Sequence, residues 1–91
     1  MTNKLSNNNL LMWRILKEKI EMLDALISET QNSYLTSVDL LEQAESRGAM
    51  SKDQREEREK RWEKAYNSNM DKLNKEKKRT TVKFNAIDKR I

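Results

Sequence analysis

Any chemistry in this chain would have to come from carboxylates and cations, because no histidine or cysteine is present to activate a nucleophile or to bind a metal. The 91 residues include no His and no Cys, which excludes the usual zinc, haem and iron–sulfur sites and the Ser-His-Asp and Cys-His pairs. The single Gly cannot build a phosphate-cradling loop. The 15 Asp and Glu residues would need an enclosed, desolvated pocket to act as acid or base, and long helices rarely form one. The sequence therefore predicts no enzymatic activity, no cofactor and no metal.

The cations are concentrated towards the C-terminus. Residues 71–91 contain eight basic and three acidic groups, whereas residues 1–50 contain five basic and seven acidic groups. On a helix most of these cations would project to one side, where they could bind a phosphate backbone, an anionic lipid or an acidic partner. The alternative is a solvated helix face whose lysine stems shield neighbouring apolar surface. The candidate anion or nucleic-acid residues are Lys72, Lys75, Lys78, Arg79, Lys83 and Arg90.

Two apolar stripes predict the helices that position these groups. One Gly and no Pro are too few turn residues for a sheet protein, so the chain is expected to be helical. Apolar residues recur at alternating intervals of three and four, which is the spacing of one helix face. The first stripe is Trp13, Leu16, Ile20, Leu23, Ile27, Thr30, Tyr34, Ser37, Leu41 and Ala44. The second stripe is Trp62, Tyr66, Met70, Leu73, Lys77, Thr80, Phe84, Ile87 and Ile91.

A stop signal and a start signal lie between the two stripes. Gly48 suits a left-handed C-terminal cap, and Ser51 followed by Gln54 fits the S-x-x-Q capping box that opens a helix. The sequence therefore predicts an all-α, antiparallel two-helix hairpin of coiled-coil type. Its expected segments are a helix over 9–46, a turn over 47–51 and a helix over 52–90.

Two parts of the first helix are less regular. Residues 1–8 are polar and asparagine-rich, and we expect them to form a tail that ends in a cap between Ser6 and Asn9. Residues 30–37 are poor helix formers and leave open a break that would give three helices instead of two. Because the stripe continues through them without a change of phase, a continuous helix is favoured.

The apolar surface is larger than one hairpin covers. Met12, Leu26, Val38 and Leu40 widen the first stripe beyond the width of one neighbouring helix. We therefore expect a partner, either a second copy in a four-helix arrangement or another helical protein. The candidate partner-binding residues are Trp13, Leu16, Ile20, Leu23, Ile27, Tyr34, Leu40, Leu41, Trp62, Tyr66, Leu73, Phe84 and Ile87.

The turn-proximal part of the second helix has nothing apolar to pack. Residues 51–61 contain no apolar side chain, so Leu40 and Leu41, which would lie opposite, are expected to need cover from a partner. The helix there should depend on its cap and on i,i+4 ion pairs. The expected pairs are Glu56–Lys60 and Glu57–Arg61.

The sequence also bears on location. Its most apolar stretch, Leu10–Leu16, includes Arg14 and is far shorter than the roughly 20 residues that cross a bilayer. The segment before it is not basic, and no small-residue cleavage site follows it. We therefore expect no membrane span, and either a cytoplasmic location or export without a cleaved signal peptide.

In size and pattern the chain resembles the small helical-hairpin proteins of bacterial secretion systems. These include type III needle subunits and the small basic chaperones that hold filament subunits as heterodimers. The segment Thr81–Asp88 is similar to the TVK…ID ending of some needle subunits, with a one-residue gap. The Pro-containing turn of needle subunits is replaced here by Arg47–Met50, and neither Trp is near Gly48 as in secreted hairpins with a Trp-x-Gly turn. The resemblance implies an assembly subunit or a small chaperone.

Overall fold

The protein consists of two long helices packed side by side. In this computed structural model the backbone is described for residues 2–90 and the side chains for residues 8–90. Helix α1 spans Thr2–Ser46 and helix α2 spans Lys52–Asp88, and together they form a rod whose Cα atoms extend over 71 × 17 × 13 Å. The predicted all-α antiparallel hairpin is confirmed.

Helix α1 begins earlier than its sequence predicts. The helix starts at Thr2 rather than at residue 9, so no cap forms between Ser6 and Asn9. Asn and Ser lower helix propensity by at most about 0.7 kcal/mol per residue, and no Gly or Pro precedes Gly48 to stop the helix. For the same reason α1 runs unbroken through residues 30–37, which excludes the three-helix alternative.

The turn is built from the two predicted signals. Gly48 has a φ of +77°, and its N–H donates to the carbonyl of Glu45 while the N–H of Ala49 donates to the carbonyl of Ala44. This pair of hydrogen bonds is the Schellman motif that ends many helices. At the start of α2, Ser51 and the residue three positions later form both hydrogen bonds of the capping box.

The two stripes face each other and form the hairpin seam, meaning the layer of side chains between α1 and α2. Leu16, Leu23 and Leu41 are its buried hydrophobic side chains. Thr80 on α2 is only 2% exposed, and its hydroxyl donates to the carbonyl of Glu76 at 2.8 Å. Because that hydroxyl has an acceptor within its own helix, its burial carries no unsatisfied donor.

The C-terminal end of α2 differs slightly from the prediction. The helix ends at Asp88, and the N–H of Lys89 still donates to the carbonyls of Asn85 and Ile87. The predicted end was residue 90. Ile91, the last position of the second stripe, lies outside the described residues, as does Met1.

Candidate interaction surface

The structure places most of the predicted partner-binding residues in the seam. Leu16, Leu23 and Leu41 are buried there, whereas Leu40 and Trp62 are exposed. The remaining eight are half-buried: Trp13, Ile20, Ile27, Tyr34, Tyr66, Leu73, Phe84 and Ile87. Because seam side chains are engaged by the opposite helix, an external partner can reach them only at their edges.

Trp13 closes the open end of the hairpin. Its indole Nε1 donates to Asp88 Oδ1 at 2.9 Å, and its ring lies 5.6 Å from the Phe84 ring, centroid to centroid. The ammonium of Lys17 lies 5.0 Å from the centre of the indole, within the range of a cation–π contact. The N–H of the indole and its ring are both engaged within the hairpin, so Trp13 acts in packing.

The middle of the seam holds an aromatic pair. The rings of Tyr34 and Tyr66 stack at 4.2 Å between centroids and 15° between planes, and Trp62, 39% exposed, lines the same shallow depression. Burial raises the pKa of the Tyr34 phenol above its ordinary value, and the carboxylates of Glu63 and Glu59 add to this effect. The phenol of Tyr34 is therefore neutral at physiological pH, which suits its place in the seam.

The turn end is held by ion pairs around Arg55. Its guanidinium pairs with Glu59 on α2 at 2.8 Å and with Glu45 on α1 at 3.1 Å. The hydrogen bond to Glu59, and then the charge of Glu45, raise the pKa of Arg55. The Arg55 side chain is only 15% exposed, and long cationic side chains cover apolar surface with their stems. Leu41 is buried within the hairpin, contrary to the expectation that it needs cover from a partner, while Leu40 is exposed.

The ion pairs of this segment also differ from those predicted. Glu56 lies 4.0 Å from both Lys52 and Arg55. Neither predicted pair, Glu56–Lys60 or Glu57–Arg61, forms, although all four residues lie in the described part of the chain. Glu56 has a cation on the turn before it as well as on the turn after it, and helical spacing alone does not decide between the two.

A second apolar face of α1 is left without a neighbour. It consists of Leu11, Ile15, Met22 and Leu26, which we call the outer stripe. These four side chains are between 40% and 58% exposed. At about 100° per residue, they point a little more than a third of a turn away from the seam. An exposed row of large aliphatic groups on a helix is a common form of protein contact surface.

The flank of α2 on the same side of the hairpin is cationic. Four residues with nearly equal helical angles form it, and we call them the basic row: Lys72, Arg79, Lys83 and Arg90. The row lies on the same side as the outer stripe because Lys19, on the outer-stripe flank of α1, crosses the seam to Glu76 at 2.7 Å. Glu76 also pairs with Arg79 of the row, at 3.2 Å.

The cations around Glu76 lower the pKa of its carboxyl. Its hydrogen bond to Lys19 and the charge of that ammonium lower the pKa of the Glu76 carboxyl below its ordinary value. The charges of Arg79 and Lys83 lower it further. Glu76 is therefore ionised at physiological pH and holds two cations in place along the seam.

The other two predicted anion-binding residues lie away from the basic row. Lys75 pairs with Asp71 at 3.0 Å, one turn before it on α2. Lys78 lies on the outer surface of α2, where it lines a shallow depression around Val82. The six predicted cations therefore do not form one uninterrupted ribbon, since two of them are paired with carboxylates of their own helix.

Between the outer stripe and the basic row runs a groove with two depressions. One, of about 410 Å³, is lined by Met12, Leu16, Lys83, Ala86, Ile87 and Arg90. The other, of about 310 Å³, is lined by Leu26, Thr30, Asn69, Lys72 and Leu73. Each depression has an apolar side on α1 and at least one basic-row cation on α2. The Lys19–Glu76 ion pair lies between them.

Sequence reasoning missed the outer stripe, although a signal for it was present. Leu11, Ile15, Met22 and Leu26 recur at intervals of four and seven, a little more than a third of a turn from the first stripe. In two antiparallel helices that face each other, equal angular offsets from the seam point to the same side. The helical angles of the basic row therefore already placed it beside the outer stripe.

Neither helix within residues 2–90 contains a stretch long and apolar enough to cross a membrane. Over the described residues, no three His, Cys, Asp or Glu side chains come together as a metal site would require. Comparison of the chain with protein-family models, with curated proteins and with solved structures finds no match.

Proposed function

We propose that the protein is a non-enzymatic assembly or adaptor subunit that acts by helix packing against another chain. The observation that carries this proposal is the outer stripe, a second apolar face on a hairpin whose seam buries so few side chains. Within the described residues, Leu16, Leu23 and Leu41 are the only buried hydrophobic side chains. A small rod of two helices gains little from its own core, so cover of the outer stripe supplies stability that the seam does not. The more specific hypothesis, that the protein is a secretion-system hairpin subunit or a small chaperone, rests on the resemblance in size and pattern.

The variants that test this role must spare the seam. Replacing Ile20 or Leu23 by Asp would bury a charge between α1 and α2, and the hairpin itself would fail. Met22→Asp instead places a charge on the outer stripe, where the native side chain is 56% exposed. Leu35→Asp is the matched control, because Leu35 is 64% exposed and points to the other side of α1.

The experiment is sedimentation velocity of the native chain and of both variants. Each protein is run alone and then mixed with any helical protein that has been isolated as a partner of the native chain. Association should be lost in Met22→Asp and kept in Leu35→Asp, while circular dichroism shows equal helix content in all three proteins. A native chain that stays a stable, fully folded monomer, with no helical protein bound to it, would contradict the proposal.

A small nucleic-acid-binding protein is the second candidate, and the cations of α2 favour it. Lys75, Lys78, Arg79 and Lys83 surround Val82 on one stretch of helix, and binding by such a stretch would depend on counterion release with little sequence discrimination. Size exclusion with and without duplex DNA or RNA, in low and high salt, separates the two candidates. A complex that dissociates steeply with salt favours nucleic acid, whereas salt-resistant association through Met22 favours the adaptor role.

A further inference from the structure

The groove between the outer stripe and the basic row is strongly asymmetric in charge. Its flanks carry Lys19 and the four basic-row cations, and the carboxylate among them is that of Glu76, which already pairs with Lys19 and Arg79. On the far edge of the outer stripe the charges change sign, because Glu18 and Glu29 lie there. A surface that is apolar in the centre, cationic on one edge and anionic on the other selects the charge pattern of whatever covers it.

We propose that the groove binds a single amphipathic helix of another protein, with a row of Asp or Glu on one flank of its apolar face. This inference rests on the proposed adaptor function and names the partner's chemistry. The bound helix would lie parallel to the rod, with its acidic row against the basic row and with Lys or Arg on its other flank against Glu18 and Glu29. Apolar helix faces laid into apolar grooves are a common mode of recognition.

The two depressions set the spacing of the partner's anchors. Met12 of α1 lines one of them and Leu26 of α1 lines the other, and these two residues are 14 positions apart, or about 21 Å at 1.5 Å per residue. A straight partner helix therefore places two large apolar side chains about four turns apart, one in each depression. Between them the partner crosses the Lys19–Glu76 pair, where a carboxylate would meet Lys19 and Arg79.

A second copy of this chain fits the groove less well than an acidic helix. If two copies met groove to groove with their rods antiparallel, the basic row of each would face the basic row of the other, and the carboxylates of Glu76 are already paired. With the rods parallel, the four cations of each basic row would face an edge that carries two carboxylates, those of Glu18 and Glu29. Like charges brought together at an interface oppose binding and are a common means of rejecting a partner.

The surface is also less suited to a membrane or to nucleic acid. On an anionic bilayer the edge with Glu18 and Glu29 would be pressed against headgroups of the same sign. A phosphate backbone bound along the basic row would leave the outer stripe uncovered. Trp13, Phe84 and the two tyrosines are engaged in the seam, and the exposed Trp62 lies ten residues before the basic row begins, so no stacking platform adjoins the cations.

The test uses the full chain and two synthetic helical peptides with the same apolar stripe and two anchors four turns apart. One peptide carries Glu along the flank that would meet the basic row, and the other carries Lys at the same positions. Fluorescence anisotropy should give at least tenfold tighter binding of the Glu peptide. Lys83→Glu should reduce or reverse that preference, whereas Lys64→Glu, on the side of α2 away from the groove, should not. Leu26→Asp, which places a charge in one of the two depressions, should weaken binding of the Glu peptide, and Leu35→Asp should not.

The outcomes separate this inference from the proposed function. If both peptides bind equally, or if neither binds while the chain self-associates through Met22, the acidic-helix partner is wrong and the adaptor role stands. If neither peptide binds, the chain remains monomeric, and duplex DNA or phosphatidylglycerol vesicles bind through the basic row instead, both are wrong. Preference for the Glu peptide with the expected pattern of variants supports both.

Discussion

At the scale of single residues, Glu76 connects the two helices and the basic row. It accepts from Lys19 of α1 at 2.7 Å and from Arg79 of its own helix at 3.2 Å, and its backbone carbonyl accepts from the buried hydroxyl of Thr80 at 2.8 Å. Glu76 thus joins the two helices at one point of the seam and pairs with two of the cations that border the groove.

The first prediction concerns the pH dependence of this contact. Because the folded-state pKa of Glu76 is lowered, its contribution to stability is present above the ordinary value of 4.5 and is lost as pH falls through the lowered value. The stability difference between the native chain and Glu76→Gln should therefore shrink on acidification through that range. Chemical denaturation at a series of pH values measures it.

An NMR titration of the Glu76 carboxyl provides the control. In Lys19→Gln the pKa of Glu76 should move back up towards its ordinary value, because the hydrogen bond and the charge of Lys19 are the largest causes of the shift. An unchanged pKa in that variant would show that the pair does not form in solution.

Residue-level contacts were only partly predictable from the sequence. The stripe positions of Trp13 and Phe84 followed from helical spacing, and the two rings do meet. The partners of Arg55 did not follow, because Glu59 one turn away and Glu45 across the turn compete for it. Choosing among such pairs requires the distance between the helices, which helical spacing alone does not supply.

At the scale of elements, the turn is the best-specified part of the chain. Its signals are local: Gly48 has a positive φ, and Ser51 caps α2. Local signals of this kind can be recognised without knowing the tertiary structure. The start of α1 lacks such a signal, since an Asn-rich segment can either cap a helix or continue it, and the helix extends to Thr2.

The second prediction tests the turn through Gly48→Ala. A Cβ at this position would meet nothing within 4 Å, so the cost comes only from the left-handed backbone conformation, about 1 kcal/mol for a residue with a side chain. Urea unfolding should show a lower midpoint with an unchanged m-value. Gly48→Asn is the matched variant and should lose less, because Asn tolerates this conformation better. Equal stability of all three proteins would contradict the role of the Schellman motif.

At the scale of the whole molecule, the hairpin is a thin rod, 71 Å long and 13 to 17 Å across at the Cα atoms, with unlike ends. Near the open end, apolar packing dominates, with Leu16 and Leu23 buried. Near the turn, the seam depends on Arg55 and the carboxylates around it. The outer stripe and the basic row also lie mainly towards the open end, so packing and the proposed binding surface coincide there.

The third prediction follows from this difference between the ends. Free in solution, the amides of residues 13–27 should exchange more slowly with deuterium than those of residues 45–61, because opening the turn end exposes less apolar surface. Raising the salt concentration from about 0.01 M to about 1 M shortens the Debye length from about 30 Å to about 3 Å. It should therefore speed exchange in residues 52–61 much more than in residues 16–23.

Two variants show whether the Arg55 cluster causes this salt effect. Arg55→Gln should give fast exchange near the turn even in low salt and remove most of the salt dependence there, because Glu45 and Glu59 lose their shared cation. Lys52→Gln removes a largely exposed cation whose nearest carboxylate is 4.0 Å away. It should leave both the exchange rate near the turn and the salt dependence of that rate nearly unchanged. Uniform exchange along the free chain, insensitive to salt, would instead mean that the turn end is stabilised by packing like that around Leu16 and Leu23. The ion pairs would then follow from the fold without contributing to its stability.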